Sequence, residues 1–293
     1  MTQRSYFKNK WLPYWLLFPQ LLITAVFFLW PAGKALVQSV QRQDAWGLRT
    51  TFVGLANFRD LFSDELYLQS FGTTLIFSVA VTVIALAGGL LFAAAADFIL
   101  KGSGAYRSML MWPYAVAPAV AGALWYFMFN PSLGIIAYAL DSLGYDWNHY
   151  IKGRDALILV IMASAWRQIG YNFLFFLAGL QGIPKSVVEA SAIDGAAPVR
   201  RFWSIIFPLL SPITFFLIVI NTVYAFFDTF GVIHATTQGG PVQATSILVY
   251  KVYEVGFLGQ NLGSSAAQSV VLMAMVIVLT FVQFRYLGAR VHY

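Results

Sequence analysis

Long apolar runs broken by short polar stretches set the pattern of this chain. A helix that crosses a bilayer needs about 20 mostly apolar residues. Six stretches reach that length: residues 12–32, 69–96, 108–129, 156–180, 209–233 and 266–284. The pattern predicts an all-α integral membrane protein with six transmembrane helices, forming a single transmembrane domain over residues 1–293. Between the fourth and fifth runs, residues 184–208 carry charge and predict a short helical element outside the bilayer.

Composition supports the class. Hydrophobic residues make up 59%, charged residues 10%, and the mean hydropathy is +0.71. A soluble domain carries about 25% charged residues, so this chain lacks the charge to cover a water-facing surface. The 17% aromatic content fits residues that anchor helices at the membrane interface. The net charge of +6 reads as loop charge that orients helices, not as a nucleic-acid surface.

The first run follows Arg4, Lys8 and Lys10 and ends in Phe-Phe-Leu-Trp-Pro, so it reads as a retained helix and not a cleaved signal. With the N-terminus inside, the inner segments hold Arg4, Lys8, Lys10, Lys101, Arg107, Lys185, Arg200, Arg201, Arg285 and Arg290. The outer segments hold Lys34, Arg42, Arg49, Arg59, Lys152, Arg154 and Lys251 over longer loops. This bias predicts both termini in the cytoplasm.

The second span carries Gly72, Gly88, Gly89 and the run Ala93 to Ala96, small residues that let helices approach closely. The third contains Pro113 and Pro118, each of which removes an intrahelical hydrogen bond and predicts a kink.

No enzyme motif is present. There is no phosphate-loop lysine, no H-E-x-x-H and no G-x-S-x-G. There are no cysteines, and His149, His234 and His292 show no metal-ligand spacing. Nucleotide-driven work would need another subunit to bind the nucleotide.

The segment EASAIDGAAPVRRFWSIIFPLL, residues 189–210, interrupts the apolar pattern. Pro184 can begin a helix that Glu189 to Ala192 continues. Asp194-Gly195 is a turn signal, with glycine free to adopt positive φ. Pro198 can start a second helix, Val199 to Phe207, that Pro208 ends. Exposed alanines with Phe202, Ile205 and Ile206 would offer an apolar face to a groove in another protein.

These residues resemble the EAA loop of ABC importer permeases: Glu189, Ala190, Ser191, Ala192, then Asp194, Gly195, Ala196, then Ile205 and Pro208. Ser191 stands where a second alanine is usual, and Phe207 where leucine is usual. WLPYWLLFPQLL, MWPYAVAPAVAGALW, YAFFDTF and GGPVQAT extend the likeness to the carbohydrate-uptake permeases, closest to the branch for sn-glycerol-3-phosphate and related glycerophosphodiesters. The resemblance implies a non-catalytic permease subunit paired with a second permease. It also implies a homodimeric ATPase that holds ATP and magnesium, and a periplasmic substrate-binding protein. It makes Glu189, Ala190, Asp194, Gly195 and Ala196 the cytoplasmic coupling helix, and turns Gln238, Gly239, Gly240 and Pro241 toward the binding protein. A neutral-sugar permease is the near alternative. A self-sufficient channel or secondary transporter is the remote one.

Intramembrane polar residues point to a pathway or to helix-to-helix hydrogen bonds. Asn221, Tyr224 and Asp228 lie at i, i+3 and i+7 in the fifth span. Ser164, Arg167, Tyr171 and Asn172 lie at related spacing in the fourth. An arginine at a helix centre costs about 2.5–3.5 kcal/mol to insert. Arg167 therefore either pairs with Asp228 or attracts an anionic substrate.

Overall fold

The computed structural model describes residues 11–44, 49–97, 103–195 and 197–287. Arg4, Lys8, Lys10, Lys101, Ala196, Arg290 and His292 lie outside the described residues. Within them the regular structure is helical apart from two three-residue strands. The elements are α1 (Leu12–Ser39), β1 (Gln41–Gln43), β2 (Thr50–Phe52), α2 (Ala56–Ser63), α3 (Glu65–Asp97), α4 (Ser103–Ala115), α5 (Pro118–Met128), α6 (Ile135–Ser142) and α7 (Gly153–Gly182). There follow α8 (Lys185–Ile193), α9 (Pro198–Leu209), α10 (Ser211–Phe227), α11 (Phe230–Thr236), α12 (Leu248–Tyr253) and α13 (Leu262–Val282).

Four described helices are long and apolar enough to cross a membrane, and six spans result if each of two bent pairs is one crossing. Two expected spans are thus broken. The third turns by 100° between α4 and α5; a 70° bend between α9 and α10 marks the start of the fifth, which breaks further on. The break falls before Pro118, whereas Pro113 sits inside an unbroken α4. A second break, at Asp228-Thr229, ends α10 before the expected limit of Ile233.

The chain divides into two compact units. One comprises residues 1–63 and 252–271. There β1 and β2 pair antiparallel, Gln41 facing Phe52. Buried Asn57 on α2 ties this hairpin down, its Nδ2 donating to the Ser39 carbonyl at 2.8 Å and the Gln41 carbonyl at 2.9 Å. The other unit comprises residues 64–251 and 272–293 and holds the candidate site.

In that unit α3 shows how composition becomes packing. Phe77, Val81, Ala85 and Ala93 recur at helical spacing and are fully buried. Ile76, Val79 and Val83 on the other side are more than half exposed, a surface for lipid and not an error of folding. Lipid removes most hydrophobic drive between helices, so close fit and polar bonds do the work. Gly89 supplies the fit: a Cβ there would stand 2.5 Å from Cβ of Asn172 and 2.9 Å from the Phe173 nitrogen on α7. The apolar core below it gathers Phe173, Phe176, Leu177 and Leu180 of α7 with Leu210 and Leu217.

Candidate functional site

The broken third span creates the site. The last carbonyls of a helix lack intrahelical partners and form its negative end. Here the end of α4 is met by Arg167 of α7, whose Nε donates to the Val116 carbonyl at 3.0 Å. Arg167 is buried, at 8% exposure, and its Nη1 reaches the Tyr224 hydroxyl at 3.4 Å. The Tyr224 hydroxyl in turn donates to the Ser164 carbonyl at 3.1 Å. The guanidinium thus anchors a helix end, a helix on its far side, and its own helix. No ion pair joins it to Asp228. Of the two expected roles, the ion pair is not formed: α10 ends at Phe227 and Asp228 lies exposed just beyond it, while Arg167 turns to Val116 and Tyr224.

Arg167, Tyr171, Tyr224 and Asp228 line one cavity of about 540 Å³. Tyr114 and Gln168 complete its polar lining. Two Arg167 hydrogen bonds use two of five guanidinium N–H groups, and no described acceptor meets Nη2. The cavity therefore holds a free cationic donor edge, three tyrosines and one carboxylate. Such a set can grip an anion at one end and hydroxyls at the other.

Asn172 and Asn221 do not line it. Both are fully buried and bond to each other behind the cavity wall. Sequence reasoning missed Tyr114 and Gln168. Gln168 carried a signal, lying three residues before Tyr171 and four before Asn172 on α7. Tyr114 carried none until its ring met that of Tyr171 at 5.3 Å.

The polar element between α7 and α10 folds as two helices with a turn. Gly195 has φ of +78°, a conformation that costs glycine nothing. Glu189, Ala190 and Asp194 are exposed around it. Pro208 does not end the second helix. Residues 202–206 widen into a π turn, which removes the clash between a proline ring and the carbonyl four residues back. The extra residue turns Phe202, Ile205 and Ile206 half inward. Ile193, Val199 and Trp203 form the exposed apolar face instead, at 86%, 72% and 58% exposure.

The segment after α11 is no ordinary exposed turn. Gln238 is exposed, but Gly239 is buried, and Gly240 and Pro241 are half-buried. Gln238, Val242 and Gln243 have φ of +49°, +47° and +59°. Each such non-glycine residue costs about 1–3 kcal/mol and persists only where surroundings enforce it.

Comparison with known proteins decides the class. Residues 150–293 match the family described as binding-protein-dependent transport system inner membrane component. The sn-glycerol-3-phosphate transport system permease protein UgpA of Rhizobium meliloti (strain 1021) is 60% identical over 99% of this chain and 99% of its own. The chain belongs to the ABC importer permeases. The protein of the same name from Yersinia pseudotuberculosis serotype I (strain IP32953) is also 60% identical, over 99% of both chains. A solved bacterial alginate ABC transporter, in complex with alginate pentasaccharide-bound periplasmic protein, has the same fold. It gives a TM-score of 0.80 at 18% identity, over 95% of this chain and 94% of that one.

The family match bears on where the permease's candidate residues lie. Residues 150–293 contain Arg167 and Tyr171, the Glu189–Gly195 element and the Gln238–Pro241 loop. Tyr114, Val116 and Pro118 precede it. As a permease, the chain is a multi-pass inner membrane subunit.

Proposed function

We propose that this permease subunit carries sn-glycerol-3-phosphate and related glycerophosphodiesters through a pathway shared with a second, similar permease. Relatives bearing that substrate in their names cover the whole chain at 60% identity, which supports the substrate class. The observation that carries the reading is the unused donor edge of Arg167 in a cavity also lined by Asp228. Guanidinium suits phosphate oxygens, and a carboxylate accepts from glycerol hydroxyls. The termini lie in the cytoplasm. The two-helix element with Glu189, Ala190, Asp194, Gly195 and Ala196 docks on a separate ATPase pair, which binds ATP and magnesium. The Gln238–Pro241 loop meets a periplasmic binding protein, which hands over the substrate. ATP-driven closure of the ATPase pair moves the two-helix element and switches the cavity from one side to the other.

Uptake of sn-glycerol-3-phosphate by the reconstituted complex tests this. Arg167→Ala should lower uptake at least tenfold, while the complex assembles and its ATPase still responds to loaded binding protein. Arg167→Lys should fall between. Normal uptake by Arg167→Ala removes the anion role. Uptake of a neutral disaccharide in place of the phosphate ester replaces the substrate assignment.

A further inference from the structure

The cavity beside Arg167 holds a second unclaimed group. Gln168 stands at the middle of α7 and is 3% exposed, yet it lines the cavity. Its backbone carbonyl accepts from Nδ2 of Asn172 at 2.9 Å, but among the described residues nothing bonds its carboxamide. The carboxamide is not sealed off either; it opens into the cavity. Asn172, one turn along the same helix, has both N–H groups on acceptors, at 2.9 and 3.0 Å. A polar group buried this deeply in a span is costly and marks contact with a ligand or with another helix. Gln168 has the cavity in front of it in place of a helix.

The lining narrows what that ligand group is. A carboxamide carries a carbonyl acceptor, N–H donors and no charge, so it can give a bond to a hydroxyl and take one back. Its neighbours in the cavity are less suited. Arg167 only donates, and an ionised Asp228 only accepts. The Tyr224 hydroxyl is committed, accepting from Arg167 at 3.4 Å and donating to the Ser164 carbonyl at 3.1 Å. Tyr171 is half-buried and Tyr114 is 48% exposed, so their hydroxyls keep access to water. Consecutive α-carbons stand about 3.8 Å apart. The group that Gln168 reads therefore lies next to the group that Arg167 holds.

We propose that Gln168 is a specificity-determining residue: its carboxamide takes the hydroxyl on the substrate carbon next to the phosphate-bearing carbon, while Arg167 takes the phosphate. This rests on the reading of the cavity as the path of a phosphate ester. A polar cavity wall is wetted before a ligand arrives, and a ligand that displaces water has to replace its bonds. A hydroxyl does so, whereas a methylene in the same place strands the amide. A site built to bond a hydroxyl strongly rejects the analogue that lacks it. Gln168 thereby admits glycerol phosphates and turns away phosphate esters with a bare alkyl chain, a choice that Arg167 cannot make.

The chain has no cysteine, so Val223→Cys, at an apolar position of the cavity wall, gives it a single thiol. In the detergent-solubilised complex with the second permease and the ATPase pair, without binding protein, a small methanethiosulfonate should label that thiol, as read by mass on this chain. sn-Glycerol-3-phosphate should halve the labelling rate at a concentration lower by roughly fivefold or more than 3-hydroxypropyl phosphate, which lacks the middle hydroxyl. Adding Gln168→Met, which keeps the length and removes both polar atoms, should make the two concentrations converge. No labelling, or protection by neither ester, removes the phosphate-ester reading of the cavity and this proposal with it. Protection by both esters at equal concentrations with Gln168 in place overturns the role of Gln168 alone, whatever its variants do. An unchanged ratio in Gln168→Met does the same and assigns the hydroxyl to another group. Should Gln168→Met fail to accumulate, Gln168→Leu makes the same comparison with the same two outcomes.

Discussion

Asn172 and Asn221 hold each other's carboxamides across two helices. Nδ2 of Asn172 donates to Oδ1 of Asn221 at 3.0 Å, and Nδ2 of Asn221 returns a bond of 2.7 Å. Each uses its second N–H on its own helix, at the Gln168 and Leu217 carbonyls. All four amide donors are satisfied, and both side chains are fully buried. Asn221→Leu alone strands the partner amide and should cost about 1–3 kcal/mol. Asn172→Leu with Asn221→Leu should recover part of that loss. Thermal unfolding of the four proteins in detergent gives the cycle; additive losses would show that the two amides act independently.

At Gly89, α3 leaves no room for a side chain against α7. Gly89→Val should separate the helices and lower the melting temperature and membrane level of the protein. Gly72→Val is the control, since a Cβ there meets nothing within 4 Å. Equal behaviour of the two variants would show that close approach at Gly89 is not needed.

Gly195 turns the chain between α8 and α9 at a φ that proline cannot adopt. Gly195→Pro should leave insertion intact and abolish substrate-stimulated ATP hydrolysis in the complex. Because the exposed face is built from Ile193, Val199 and Trp203, Trp203→Ser should weaken ATPase binding more than Phe202→Ser. Pull-down of the ATPase by each variant decides the order.

His149 sits in the segment before α7, 2% exposed among the rings of Tyr126, Trp147 and Tyr150. Burial pulls its imidazole below the ordinary histidine range. The unfolded chain, titrating near about 6.5, then takes up a proton before the folded one. Stability is complete above that value and declines as pH falls through it toward the lower folded pKa. His149→Phe should flatten melting temperature against pH as pH falls below about 6.5. An unchanged slope would assign the acid sensitivity to another group.

Much of the fold was legible because apolar run length and turn chemistry are local properties. The four unbroken helices and the Gly195 turn follow from them. The breaks do not. Pro113 and Pro118 look alike in sequence, and each frees a carbonyl. The chain opens at Val116 because Arg167, 51 residues away, receives that carbonyl. Arg167 and Asp228 suggested an ion pair as the charges available to each other in the spans. Arg167 instead donates to the Val116 carbonyl at the end of α4 and to the Tyr224 hydroxyl, and no ion pair with Asp228 forms. The π turn at residues 202–206 likewise rotated the apolar face away from Phe202, Ile205 and Ile206, a shift that no period of 3.6 residues contains.

The Val116 carbonyl has one more consequence. Mutation exchanges side chains, but all twenty residues carry the same main-chain oxygen. The acceptor that seats Arg167 is therefore present whatever side chain stands at position 116. The constraint moves two positions along, to Pro118, whose missing N–H no other residue reproduces. This polar centre thus rests on one imino acid, one arginine and the Tyr224 hydroxyl, with the oxygen between them supplied by the chain itself.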